Sequence, residues 1–363
     1  MKALRLFPLL LLLPFVGLAQ PTGKRILVEK ITSAGCPSCP WGDYLLHSYL
    51  DSGSTIIPVA IHVNNANHID HMWSEEGDSI LDDFLWAHPT LMIDRVDWPG
   101  FAYTAVTTNH WSAFIADRED DPMAATVGGT SSYNASTREL TVDIEGRVLW
   151  AVPWDVRVNA YVVEDSVTGT GLGYDQLNGN NTVVGHPLYG LGDPIVGYVH
   201  NWVLRDMLGG SKGIPAFSGP ISAGQSFTHT FHTVLDSGWN ASNCHVVLVV
   251  QRHSTDIATR EILNANKIPL NGSIASGTDP THTNIEAMIW PNPASSGQAL
   301  KIQQPENGTW EVSLADLHGR TLRKWTMSSG ADELTLPELP QGLYLLGGTN
   351  AQGKSYLAKL NIR

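Results

Sequence analysis

Cysteine is scarce. Three residues in 363 cannot staple a scaffold, so the fold must rest on apolar cores. Charge is thin at 16% and lopsided, with Lys+Arg 22 against Asp+Glu 35 for a net −13. No basic cluster interrupts that acidity, which argues against nucleic acid or anionic lipid as a partner. Long hydrophobic runs are also missing downstream of the amino terminus, so no transmembrane segment is expected. The one apolar block, Leu6 to Leu18, is broken by Pro8 and Pro14, follows Lys2 and Arg5, and leads into Gly17-Leu18-Ala19-Gln20. It reads as a secretory signal peptide over residues 1–19, cut after Ala19. No cysteine stands at that cut, which argues against an N-terminal lipid anchor.

Two of the three cysteines stand together in Cys36-Pro37-Ser38-Cys39-Pro40. The apolar strand-like run Ile26-Leu27-Val28 precedes them, and Trp41 to Leu50 follows with apolar residues at helical spacing. Thiols three apart at a helix start can close a small disulfide ring. The helix's free N–H groups stabilise the first thiolate, so Cys36 is expected to attack and Cys39 to resolve. The alternative is a permanent structural disulfide.

Residues 24–120 alternate strand and helix signals: Thr55 to Val63 reads as a strand, Ser79 to Trp86 as a helix, His88 to Asp94 as a strand and Thr108 to Ala116 as a helix. That order implies an α/β domain with a partly parallel sheet. From 122 to 270, turn signals separate period-2 runs such as Glu139 to Ile144, Val156 to Val163 and His245 to Val250, the pattern of an antiparallel β-sandwich. The connection over 166–221 is long, and Val199 to Leu208 within it shows helical spacing. Residues 271–287 are rich in Gly, Ser, Thr and Asn and read as a linker, leaving 288–363 as a third, short-stranded β unit.

Other residues invite chemical readings. Glu29, on the strand feeding the motif, is a candidate proton acceptor for the second thiol if buried beneath it; the alternative is a solvated strand residue. His62, His68, Asp70 and His71 have ligand chemistry but no compact metal spacing, so a polar insertion near the motif is favoured. Trp41, Trp73, Trp86, Trp98 and Trp111 could line a peptide groove, although aromatics more often fill cores. The loop Asp175 to Asn181 lacks the carboxylates of a Ca²⁺ site and reads as a turn. No metal and no cofactor are expected.

The first domain resembles thioredoxin, on the order strand, Cys36-x-x-Cys39, helix, strand, helix, then Pro89-Thr90-Leu91. The resemblance implies a thioredoxin-like fold with a cis proline, Pro89, facing the disulfide. It also implies that Pro89, Thr90 and Trp41 contact a protein or peptide thiol substrate. Gly35 stands where thioredoxin carries tryptophan, which is expected to leave Cys36 open to bulky substrates. Leu27 to Ser33, the cysteine motif, Pro89-Thr90 and His200 to Leu208 together resemble the outer membrane protein 28-related family of Bacteroidetes over residues 24–270.

The carboxyl terminus resembles a type A sorting domain of the type IX secretion system. The resemblance rests on Trp290-Pro291-Asn292-Pro293, Val312 to Arg320, Leu339 to Leu345 and Lys359 to Arg363. It implies an Ig-like β-sandwich over 288–363, read by the type IX secretion machinery and then removed, with the cargo at the outer-membrane surface or outside the cell. Two functions remain open at this point: an exported thiol–disulfide oxidoreductase, or a surface binding module that keeps the fold without turnover.

Overall fold

The computed structural model describes residues 24–363 apart from 65–67, 85–86, 99, 102–103, 120, 122, 150, 275–287, 304–307, 317–320, 329–332 and 351–354. The signal-peptide reading therefore lies outside the described residues.

The run ILVEKIT forms β1 (Ile26–Thr32), all seven residues buried. It leads into α1 (Cys39–Asp51), where Pro40 occupies the first turn and its missing N–H leaves no helical bond unmade. β2 (Ile56–His62) then returns parallel to β1, from Ile26↔Ile56 to Thr32↔His62. The next helix, α2 (Glu75–Leu81), starts earlier than the expected 79–86 because the Ser74 hydroxyl accepts from the Gly77 N–H at 3.1 Å and acidic residues fill the first turn. β3 (Thr90–Ile93), β4 (Ala105–Thr107) and α3 (Trp111–Glu119) complete this part.

The second part contributes β5 (Ala125–Tyr133), β6 (Glu139–Val148), β7 (Asp155–Glu164), β8 (Val203–Met207) and β9 (Ile214–Pro215). It continues with β10 (Ser226–Val234), β11 (Cys244–His253), β12 (Ile262–Pro269) and β13 (Gly272–Ile274). One sheet runs β12-β11-β7-β8-β2-β1-β3-β4, with β9 beside β7, and so crosses the boundary near residue 121 suggested by the change of pattern. A second sheet, β10-β6-β5-β13, covers one half of it. The 122–270 region thus supplies both layers of a sandwich, β12-β11-β7-β8 against β10-β6-β5, and the first of these layers continues into β2-β1-β3-β4.

β7 and β11 show why these strands read as near-continuous apolar runs. Tyr161, Val163, Val247 and Val249 face the core shared with β1, β2 and the helices. Val158, Ala160, Val162, Val246, Leu248 and Val250 face the core under the second sheet. Both faces are buried, so alternation has no polar side to show. Complete burial of each such aliphatic side chain stabilises by about 1.5–3 kcal/mol.

Two expectations are corrected here. Val199 to Leu208 is not a helix: β8 pairs antiparallel with β7 and meets β2 at Ala60↔Val203, where the Ala60 N–H donates to the Trp202 carbonyl at 2.6 Å. It bridges the two halves of the sheet, and this pairing overrides helical spacing. The linker read over 271–287 begins with a strand, since β13 pairs with β5 from Gly272↔Ser131 to Ile274↔Gly129.

The last part holds β14 (Met288–Trp290), β15 (Ala299–Gln303), β16 (Trp310–Ala315), β17 (Thr321–Met327), β18 (Glu333–Thr335), β19 (Gly342–Asn350) and β20 (Ser355–Ile362). Sheets β14-β15-β18 and β17-β16-β19-β20 enclose a core around Leu300, Trp310, Leu314 and Leu346. The molecule as described is mostly β structure in several sheets.

Candidate functional site

The turn after β1 positions the cysteines. The Cys36 N–H donates to the Ser33 carbonyl at 3.0 Å and the Cys39 N–H to the Cys36 carbonyl at 3.2 Å, which winds the chain into α1. Cys36 and Cys39 form a disulfide with S–S 2.11 Å and Cα–Cα 5.4 Å. Opposite stands the turn entering β3, where the His88–Pro89 bond is cis. An imidazole nitrogen of His88 and both sulfurs lie within 4.8 Å of one another. Burial pushes the His88 imidazole below its ordinary range, favouring the neutral ring at neutral pH.

Cys36 is not open to solvent. It is 1% exposed and Cys39 0%. Gly35 does leave space beside the motif, but His68 fills it: a Cβ on Gly35 would stand 2.4 Å from the His68 ring. From the other side the segment 174–181 lies along the turn. The Leu177 N–H donates to the Ala34 carbonyl at 2.9 Å and the Gly179 N–H to the Pro37 carbonyl at 2.8 Å. The buried Gln176 amide donates to the carbonyls of Ser33, Ala34 and Cys36 at 3.2, 3.1 and 2.9 Å. This cap is internally braced. Asp175 accepts from the Gly171 and Gly197 N–H groups at 3.0 and 2.9 Å, and Asn178 donates to Leu188 and Gly192 carbonyls at 3.0 Å each. The Asp175 carboxylate is thereby committed to the loop, as a turn requires.

Trp41 is half-buried, stacked on Tyr44 at 5.2 Å and against His186, beyond the cap in sequence, at 4.8 Å. Thr90 is buried, with its hydroxyl donating to the Ala87 carbonyl at 2.5 Å, so its side chain braces the proline turn.

Glu29 and Lys30 are adjacent, and a strand sends neighbours to opposite faces. Both are buried and each has found a partner. Glu29 accepts from Arg95 in a bidentate pair, 2.6 Å for each bond, and Arg95 also donates to the Tyr161 hydroxyl at 2.9 Å. Asp94 and Arg95 hold left-handed backbone conformations (φ 48° and 52°), which ordinary residues avoid, and the Glu29–Arg95 pair and the Arg118–Asp94 pair at 3.0 Å hold this strained turn. It is Lys30 that faces α1, paired with Asp43, which in turn accepts from the Tyr198 hydroxyl at 3.1 Å. Glu29, the proton acceptor expected from sequence, thus has both carboxylate oxygens held by a guanidinium on the face turned away from α1.

The histidine-rich insertion forms a brace. His62 Nδ1 lies 2.9 Å from Asp70, and Asp70 accepts from the Ala34 and Met72 N–H groups at 2.8 Å each. Burial works to raise the Asp70 carboxyl, but His62 and the two N–H donors outweigh it and hold it down to about 2. His200 packs edge-on against His62 at 5.4 Å and is pushed down to about 4, first by burial and then by His62. His68 and His71 join no ligand cluster with them among the described residues.

Sequence reading missed four contributors: His88, Asp43, Gln176 and Tyr198. Two signals were available. His88 directly precedes the proline that was singled out, and Lys30 is a cation inside an apolar strand, where a buried charge demands a partner. Two cavities, of about 860 and 670 Å³, open elsewhere, and neither is lined by Cys36, Cys39 or His88.

Comparison with known proteins bears on both ends of this description. Residues 288–363 match the secretion system C-terminal sorting domain family. The tail is a type IX sorting domain, which sends the protein to the cell surface or the extracellular space. No described helix is long and apolar enough to cross a membrane. No curated protein matches the chain. Among solved structures, HBP35 of Porphyromonas gingivalis is similar in fold, at 17% identity and TM-score 0.54, covering 94% of this chain and 99% of its own. An Agrobacterium tumefaciens protein follows at 15% identity and TM-score 0.44, covering 70% of this chain and 97% of its own. A domain of the outer membrane lipoprotein Omp28 from Porphyromonas gingivalis aligns at 17% identity and TM-score 0.23, over 42% of this chain and 93% of its own.

Proposed function

We propose that this exported protein is a thiol–disulfide oxidoreductase of thioredoxin-like architecture, acting through Cys36 and Cys39. The observation that carries the reading is the disulfide at the first turn of α1 with the His88–Pro89 turn set against it. In the reducing direction the Cys36 thiolate attacks a substrate disulfide and displaces one substrate thiolate. Cys39 then attacks the mixed disulfide, releasing the second substrate thiol and leaving Cys36–Cys39 oxidised. The opposite direction runs the same steps backwards. Pro89 and Trp41 border the place where a protein or peptide substrate would lie. Because Cys36 is buried, substrate access requires the 174–181 cap to move.

The test is titration of the pair in glutathione and dithiothreitol buffers, followed by trapping. Cys39→Ser should accumulate mixed disulfides and Cys36→Ser should not. A pair that stays closed in strong reductant, with nothing trapped, would instead support a second reading, a surface binding module with a structural disulfide. The 1% exposure of Cys36 is what favours that reading.

A further inference from the structure

We propose that the reduced Cys36–Cys39 dithiol and His88 together form a binding site for a thiophilic divalent cation, Zn²⁺. The inference rests on the opening of the disulfide proposed above, and it departs from the sequence reading, which assigns this chain no metal. Among the described residues, these are the only three His, Cys, Asp or Glu side chains whose ligand atoms converge within 4.8 Å. Tetrahedral Zn²⁺ with bonds of about 2.0–2.3 Å places its ligand atoms about 3.5–3.8 Å apart, so the ion fits after side-chain rotation alone.

Each ligand is positioned by backbone. The cysteines, 5.4 Å apart at Cα, stand in the turn before α1 and at its first residue, where the helix dipole favours thiolate. His88 is held by the turn that the Thr90 hydroxyl closes onto the Ala87 carbonyl, with β3 paired to both β1 and β4 behind it. Two sulfurs and one imidazole, with no carboxylate, select soft ions over Ca²⁺ or Mg²⁺. Burial of both cysteines strengthens the attraction between thiolates and cation. Three protein ligands leave the fourth position to water or a solute, the coordination of a reactive rather than a closed site.

Redox state gates the site. An external dithiol delivers two electrons and two protons, converting Cys36–Cys39 into two thiols while becoming a disulfide itself. Zn²⁺ then displaces the two thiol protons and takes the neutral imidazole as its third ligand. In the oxidised chain both sulfurs are bonded to each other and no thiolate is available.

The experiment uses the full chain, reduced with a phosphine, desalted without oxygen, and checked by thiol counting. Zn²⁺ is titrated against a chromophoric chelator, and Co²⁺ is added in parallel to read thiolate ligation from its charge-transfer absorption. One Zn²⁺ per reduced chain, a thiolate–Co²⁺ band, and no uptake by the oxidised chain are expected. His88→Ala should weaken binding by roughly 100-fold or more, since even changes outside the ligand shell cost 10–100-fold. His88→Gln serves if the alanine variant loses its native circular dichroism. A fully reduced, folded chain that takes up no Zn²⁺, or one whose affinity ignores both His88 variants, overturns the site. Thiol counting in graded redox buffers separately reads the oxidoreductase proposal. A chain that opens reversibly yet binds no metal defeats only this inference; if it opens only under the phosphine, only that proposal fails.

Discussion

Gln176 donates its side-chain amide to the carbonyl oxygen of Cys36 at 2.9 Å, across 140 positions of sequence. The same amide reaches the carbonyls of Ser33 and Ala34, so one side chain pins the cap onto the cysteine turn.

Gln176→Ala should loosen that cap. Each lost hydrogen bond costs about 0.5–1.5 kcal/mol, and a shift of 1–2 kcal/mol changes an opening equilibrium roughly 5–30-fold. Reduction of Cys36–Cys39 by dithiothreitol should accelerate by that order, with a matching fall in urea stability. Equal rates in the variant and the parent would show that the cap does not control access.

Asp70 should make the fold sensitive to acid. Its folded value of about 2 lies below the ordinary 3.8, so its contribution is present above pH 3.8 and is lost as pH falls toward 2. Asp70→Asn should destabilise the protein by about 3 kcal/mol at pH 7, because it strips a buried partner from His62. The difference between the variant and the parent should shrink between pH 4 and 2. Urea unfolding at a series of pH values measures it; a constant difference would contradict the assignment.

Glu29→Gln should destabilise strongly, by about 3–5 kcal/mol, since it leaves Arg95 buried without its counter-charge. In the reduced variant, the pH profile of Cys36 alkylation should match that of the parent. A shifted profile would restore Glu29 to the proton-relay role expected from sequence.

Cys244 is a free, buried thiol, raised to about 12 by burial first and by Glu164 second. It should resist iodoacetamide at pH 8 in the folded protein and react on unfolding. Its folded value lies above the ordinary 9.0, so its contribution to stability is full below about pH 9 and declines as pH climbs toward 12. Rapid native labelling would refute the burial.

The surface form should lack residues 1–19 and the region from about Trp290 onward, because both carry export signals. Mass spectrometry of surface-exposed protein decides this. Peptides ending in Ile362-Arg363 on the mature form would count against removal of the tail.

The sequence by itself determined what is local. β1, the cysteine pair, the helix after it and the proline turn are written in apolar periodicity and in one short motif. The sorting tail is written in its own short motifs. What only the tertiary structure decided depends on partners far away in the chain. Val199 to Leu208 has helical spacing, yet it is drawn into a strand by the free edges of β2 and β7. Lys30 and Glu29 carry opposite charges one residue apart, and the pleat sends each to a different face and a different ion pair. Gln176 reaches Ser33 across 143 positions, and Tyr198 reaches Asp43 across 155. No local pattern records those meetings, because burial is what makes a polar group seek a partner and only the assembled sheet defines what is buried.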